Sequence, residues 1–152
     1  AALMSRLDVP GLAGADGGAL LEGEVAGHDT AFGLSQVATM AGPLLVPLLD
    51  RPVGARLRLR ILASDVLLSL SRPEGVSALN VLSGSIVELG ERRGAAQDIR
   101  IECGGAMLLA RVTAKSVALL DLAPGRAVHA VVKSVALDGG MAGTVNRARS
   151  PD

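Results

Sequence analysis

The chain has 152 residues, and 15 lysines and arginines balance 15 aspartates and glutamates, so no overall field attracts nucleic acid or an anionic membrane. Its single aromatic residue is a Phe, which excludes the stacking platforms of single-strand nucleic-acid binders. One cysteine cannot form an internal disulfide, and neither a bilayer-spanning apolar stretch nor a signal peptide is evident. We therefore expect a cytoplasmic protein that does not bind nucleic acid.

The first half of the chain predicts a series of short strands. Residues 1–17 are rich in Gly and Ala, and we expect a linker or N-terminal extension there. Alternating apolar and polar residues then predict strands within 19–29, 34–42 and 43–50. A Pro/Gly turn follows and leads into a long apolar strand within 51–70.

In that last strand, three arginines alternate with three apolar residues, which predicts a half-buried antiparallel strand. The two sets are Arg56, Arg58 and Arg60, and Leu57, Leu59 and Ile61. An arginine stripe could attract phosphate, but a solvated face paired with acidic neighbours is the preferred interpretation.

The second half repeats this order of elements and adds one helix. Its alternating segments are 80–90, 95–105, 106–113 and 123–137. Between the last two, Thr113 is a suitable N-cap for a helix that turns Val117, Leu120 and Leu122 inward. Residues 139–152 lack periodicity, and we expect a disordered tail there.

The two halves align as copies of one unit. Leu21 to Val25 match Leu82 to Ile86, so that Gly23 lies opposite Gly84. The repeat period of roughly 60–70 residues suits a duplicated small domain rather than a solenoid.

The sequence therefore predicts a mainly β fold of two tandem OB-like five-stranded barrels, with one short helix in the second. We place the barrels at 18–72 and 75–138, joined by the polar link 71–75. Barrels of this size are marginally stable alone. We therefore expect the halves to pack together and the chain to form a homodimer or a higher homo-oligomer.

Three polar segments of the second half together suit a tetrahedral oxyanion. They supply hydroxyls, amides, backbone N–H groups and an ammonium, and they contain no carboxylate. Because the first and last elements of a small barrel lie close together, we expect these segments to meet, with a helix start adding its N–H groups. Taken singly, Ser77 and Thr113 fit plain caps, and Lys133 fits a strand-end lysine that reaches solvent. The candidate residues are Ser77, Ala78, Asn80, Thr113, Lys115, Ser116, Lys133 and Ser134.

The segments 75–89 and 110–137 resemble the molybdenum–pterin-binding (Mop) domains, a branch of the transport-associated oligomer-binding (TOBE) domains. The resemblance covers residues 75–137, with the first half as a degenerate copy. It is strongest to the C-terminal regulatory part of the ATP-binding subunit of bacterial molybdate importers, in which a stretch like 51–82 bridges two copies. It implies paired barrels that bind molybdate or tungstate at interfaces and require no cofactor. It also implies membrane subunits as partners through an ATPase domain, at the inner face of the cell membrane.

The resemblance also implies which residues hold the oxyanion. In Mop proteins these are a Ser-Ala-Arg-Asn motif, a Thr/Ser pair at the helix start, and a Lys near the last strand. The matching residues here are Ser77, Ala78 and Asn80, then Thr113 and Ser116, then Lys133 and Ser134. Leu79 stands where arginine is usual and offers none of the charge-assisted bonds of a guanidinium, so the site is either weaker or vestigial.

The first copy lacks these residues. Leu62 stands where the second copy has Lys133, and Asp65 follows shortly after; its carboxylate would repel an anion, so we expect no full site there. Two distant histidines, His28 and His129, and one cysteine make no metal-ligand set.

The sequence contains no GxxxxGK[ST] phosphate loop and no nucleophile motif, so we expect no catalytic residue, and any ATPase domain would precede residue 1. The leading hypothesis is an oxyanion-binding regulatory module of a molybdate transporter. The alternatives are a free-standing molybdate storage protein of paired Mop domains, and a structural dimerisation domain that binds no ligand.

Overall fold

The computed structural model describes residues 18–138, so the expected linker at 1–17 and the expected disordered tail at 139–152 lie outside the described residues. Strands dominate this part of the chain, and its one α-helix, α1, spans Ala114–Leu119. A 3-10 turn at Ala63–Asp65 joins β4 to β5. The strands are β1 Gly18–Asp29, β2 Leu34–Thr39, β3 Gly42–Pro47, β4 Arg56–Leu62, β5 Val66–Ser69, β6 Asn80–Arg93, β7 Ala96–Cys103, β8 Ala106–Thr113, β9 Ala127–Val132 and β10 Ala136–Leu137.

The strands form two antiparallel five-stranded sheets of the same plan. The first sheet has the order β10-β4-β1-β2-β3, and the second has the order β5-β9-β6-β7-β8. In each, a long first strand lies between its hairpin partner and the late strand of the same copy. The predicted mainly β fold, with two five-stranded OB-like units and one helix in the second, is confirmed.

The internal repeat is visible in the strand register. Gly23 pairs with Leu57 across β1 and β4, and Gly84 pairs with Val128 across β6 and β9. A Cβ atom at Gly23 would lie 2.5 Å from a side-chain methyl group of β2, and one at Gly84 would overlap a backbone carbonyl oxygen of β7. Both copies therefore need glycine at this position, because the hairpin partner approaches too closely for a side chain.

The long strands predicted within 51–70 and 123–137 are each broken, and their ends cross to the other sheet. The 3-10 turn ends β4, after which β5 pairs with β9, with Val66 opposite Val132. In the second copy, β10 pairs with β4, with Ala136 opposite Arg60. Each sheet is therefore completed by a strand from the other half of the chain.

This exchange goes with one shared hydrophobic core. Fully buried residues of the first copy, such as Leu59 and Ile61, belong to the same cluster as Ile99 and Leu108 of the second. The β2–β3 and β7–β8 turns also touch, because a Cβ atom at Gly104 would overlap a carbonyl oxygen of the facing turn. The expected packing of the two halves is observed.

The arginine stripe of β4 lies on a solvated face, as expected. Glu24 stands opposite Arg56 and Glu22 opposite Arg58 in the register of β1 and β4. An ion pair of 3.7 Å joins Arg58 to Asp138. The alternate residues of β4 point into the core.

Helix α1 begins where the sequence predicted. The backbone N–H of Ser116 donates to Thr113 Oγ1 at 3.0 Å, which makes Thr113 the N-cap. Leu122 is buried, and Val117 and Leu120 pack against the core. No helix within residues 18–138 is long and apolar enough to cross a bilayer.

Candidate functional site

Five of the eight candidate residues line one small cavity between the two copies. Its volume is about 250 Å³, and residues 45–47 of β3 form part of its wall. The segment before β6 and the segment after β9 meet here because β6 and β9 pair antiparallel and Asn80 lies opposite Val132 at the end of that pairing. We call it the Lys133 cavity; its candidate residues are Ser77, Ala78, Asn80, Lys133 and Ser134.

The other three candidates lie elsewhere in the same chain. Thr113 and Ser116 line a second cavity of about 480 Å³, whose other walls include Leu68, Val112 and Leu120. We call it the Thr113 cavity. Lys115 is exposed on α1 and lines neither cavity. Within one chain, therefore, Thr113 and Ser116 do not line the same cavity as Lys133.

The wall of the Lys133 cavity contains an ammonium group and no carboxylate. Lys133 is exposed and forms no ion pair with a carboxylate among residues 18–138. The hydroxyl of Ser77 makes no hydrogen bond within the same described range. No Asp or Glu contributes to the wall of this cavity. An ammonium group and a free hydroxyl are the donors that a small anion requires.

Asn80 has a structural contact that the sequence did not predict. Its side-chain Oδ1 accepts from the backbone N–H of Leu45 at 2.7 Å, and its Nδ2 donates to the carbonyl oxygen of Leu45 at 2.9 Å. Pro43 and Pro47 lie two residues before and two residues after Leu45, and as prolines they have no N–H to expose on this edge of β3. The carboxamide therefore completes the protection of a sheet edge and links β6 to the first copy.

Ser134 also differs from expectation, because its hydroxyl is bound to a carboxylate. Ser134 Oγ donates to Asp65 Oδ2 at 2.9 Å, and the backbone N–H of Lys133 donates to the Asp65 carbonyl oxygen at 2.7 Å. From the sequence, Asp65 is expected to oppose an anion only in the first copy. Strand exchange places its carboxylate against Ser134 of the second copy, a contact that the sequence did not predict.

The Thr113 cavity offers hydroxyls at the start of α1. Thr113 Oγ1 accepts from the Ser116 backbone N–H and donates to Ser116 Oγ at 2.9 Å. The Ser116 hydroxyl hydrogen is thus left for another acceptor. Most of the remaining wall is apolar.

A larger groove, of about 730 Å³, does not suit an anion. Glu22 and Glu24 contribute to its wall, and Arg56 is its one cationic residue. The two carboxylates make this groove a poorer place for negative charge than the Lys133 cavity.

The histidines and the cysteine have structural surroundings. His28 bonds Ser35 Oγ at 2.8 Å and the carbonyl oxygen of Arg51 at 2.7 Å. Burial, and secondarily the charge of Glu102, raises the pKa of the Cys103 thiol to about 11. Residues 18–138 contain no group of three or more His, Cys, Asp or Glu side chains placed to hold a metal ion.

Comparisons with known proteins agree with this architecture. Residues 76–138 match the family described as "TOBE domain". The chain is 51% identical over 123 residues to the molybdenum import ATP-binding protein ModC of Rhizobium meliloti, covering 81% of this chain and 34% of that protein. It is 44% identical over 138 residues to ModC of Mesorhizobium japonicum, covering 90% and 37%.

A solved structure shares the fold. The crystal structure of the cytoplasmic molybdate-binding protein ModG with molybdate bound superposes with a TM-score of 0.66 at 23% sequence identity, covering 78% of this chain and 93% of that chain. The chain spans about a third of the length of the ModC proteins it matches. Residues 76–138 therefore form a TOBE domain, and the chain is homologous to the C-terminal region of bacterial molybdenum import ATP-binding proteins.

Proposed function

We propose that this chain binds a tetrahedral oxyanion, molybdate or tungstate, at the Lys133 cavity. The observation that carries the proposal is the unpaired Lys133 ammonium beside the free Ser77 hydroxyl, in a wall without carboxylates. A volume of about 250 Å³ lies below the range of roughly 300–1,000 Å³ typical of sites for larger organic ligands. A small inorganic anion is therefore the suitable class of ligand, and no cofactor is required.

We infer that the module regulates the ATP-binding subunit of a molybdate importer. Relatives that match over most of this chain are named as molybdenum import ATP-binding proteins, and the structural neighbour ModG is described as binding molybdate in the cytoplasm. The membrane subunits of that importer would be the partners, reached through an ATPase domain, at the inner face of the cell membrane. Regulation requires that two states of the importer bind the oxyanion with different affinity, because equal affinity shifts no equilibrium.

We further propose that the complete site forms between two chains. The Thr113 and Lys133 cavities are separate within one chain, yet each holds part of the donor set that Mop resemblance implies. A homodimer that brings the Ser116 hydroxyl of one chain to Lys133 of the other would unite these donors. The boundaries 18–72 and 75–138 for the two barrels remain a prediction.

A structural dimerisation domain that binds no ligand is the second candidate. The apolar Leu79, 64% exposed beside the cavity in place of arginine, favours it. A titration with oxyanions distinguishes the two functions, because only the first predicts binding.

Isothermal titration calorimetry with molybdate, tungstate and sulfate tests the proposal. We expect Lys133→Ala to weaken molybdate binding at least about tenfold, since it removes a charge-assisted hydrogen bond worth roughly 1.5–3 kcal/mol. Arg126→Ala is the control: it removes one exposed positive charge before the opposite end of β9 and should leave binding unchanged. Absence of heat with all three anions would leave the structural candidate.

A further inference from the structure

The Lys133 cavity has a neighbour that opposes its charge. Asp65 reaches it from the first copy, because the 3-10 turn carries the chain from β4 of one sheet to β5 of the other. A backbone hydrogen bond holds Asp65 in place: the N–H of Lys133 donates to the Asp65 carbonyl oxygen at 2.7 Å. The carboxylate accepts the Ser134 hydroxyl at 2.9 Å, and no ion pair within residues 18–138 neutralises it.

This contact fixes the direction of one hydrogen bond in the cavity. A hydroxyl has one hydrogen, and an ionised carboxylate only accepts, so the Ser134 hydrogen is directed to Asp65. Toward the cavity, Ser134 Oγ then presents lone pairs. A fully deprotonated tetrahedral oxyanion also presents only lone pairs, so it cannot bond to Ser134 while this contact persists.

The charge of Asp65 acts in the same direction. Ser134 Oγ lies one hydrogen-bond length from the Asp65 carboxylate, and an oxyanion bound to Ser134 would lie one further hydrogen-bond length away. The nearest oxygen of the oxyanion would therefore be about 5 Å from the carboxylate. Two like unit charges at about 4 Å repel by about 1 kcal/mol even in bulk water, and a dianion doubles the effect. Asp65 is only half-buried, so we scale the repulsion from the water value.

We propose that Asp65 is an affinity-setting residue of the Lys133 cavity, which weakens the binding of fully deprotonated oxyanions through its charge and through the orientation of the Ser134 hydroxyl. The inference rests on the proposed function and specifies its regulation: the exchanged segment that joins the two copies also limits how tightly the ligand is held. Any rearrangement that withdraws Asp65 from Ser134 would raise affinity.

The test is a double-mutant cycle measured by calorimetry with sodium molybdate on the whole chain. Asp65→Asn retains the size of the side chain, removes its charge, and supplies an amide N–H that can donate to Ser134 Oγ. We expect it to tighten binding about tenfold. Ser134→Ala should change affinity little in the native background, but it should weaken binding at least threefold in the Asp65→Asn background, where the hydroxyl has become a donor.

Glu91→Gln is the control for net charge, because Glu91 is exposed near the far end of β6 and is remote from the cavity wall. If it tightens binding as much as Asp65→Asn, the local assignment is overturned. Native binding that is lost in Lys133→Ala but unchanged in Asp65→Asn would overturn this inference and leave the proposed function intact. If neither the native chain nor Asp65→Asn binds, both are overturned, while binding gained only in Asp65→Asn supports the inference.

Discussion

Replacing Asn80 by alanine should destabilise the contact between the two copies without creating a clash. Asn80 is 7% exposed, and its carboxamide makes two hydrogen bonds to the backbone of Leu45, at 2.7 and 2.9 Å. Each such bond contributes about 0.5–1.5 kcal/mol net, so Asn80→Ala should lower the free energy of unfolding by about 2 kcal/mol. Because Leu45 is only half-buried, water can partly replace the lost partners, which keeps the cost from rising further.

Urea unfolding followed by circular dichroism measures this change. Ser83→Ala is the matched control on the same strand, because Ser83 is exposed and its hydroxyl reaches only the His129 ring at 3.4 Å. It should shift the free energy of unfolding by less than about 0.5 kcal/mol. An Asn80→Ala variant that unfolds at the same urea concentration as Ser83→Ala would refute the role assigned to the carboxamide.

Three further predictions concern the core and the turns. Gly104→Ala should lower the free energy of unfolding by at least about 3 kcal/mol, because φ is +60° and the added methyl overlaps a carbonyl oxygen. Gly94→Ala, at φ +61° with open space around it, should lower it by only about 1 kcal/mol. Equal urea midpoints for the two variants would contradict this prediction. Cys103, fully buried and with its pKa raised to about 11, should react with iodoacetamide at pH 8 only after unfolding, so rapid labelling of the native chain would count against its placement. Glu88→Leu should cost about 3–5 kcal/mol, because it leaves the buried Arg100 guanidinium without the carboxylate 3.2 Å away, and adding Arg100→Leu should recover most of the loss; no recovery would contradict the pairing.

Local patterns in the sequence were enough to predict most of the strands. Alternation identified β4, and the repeat alignment correctly matched Gly23 with Gly84, because each is constrained by its own hairpin partner. The crossing of β5 and β10 was not predictable in this way. A short apolar strand has the same periodicity whichever sheet it joins, and its partner is chosen by contacts distant in sequence.

The candidate site shows the same division between local and long-range information. Ser77 and Lys133 line the same cavity, as expected, because β6 and β9 are paired neighbours. Ser77 lies shortly before the start of β6, and Lys133 lies directly after the end of β9. Thr113 is the last residue of the edge strand β8, which places it at a different cavity. The sequence indicated that Asp65 opposes an anion in the first copy, but not that it contacts Ser134 of the second, because that contact depends on strand exchange.

Crystals of the chain soaked in sodium tungstate provide the most direct test of the central claim, that the Lys133 cavity holds a tetrahedral oxyanion. Anomalous scattering from tungsten locates the bound anion independently of any assumption about its ligands. We predict an anomalous peak within hydrogen-bond reach of Lys133 Nζ and Ser77 Oγ, with Ser116 of a second chain completing the site. Peaks that lie only elsewhere on the protein, or no peak from crystals that tolerate the soak, would contradict the account.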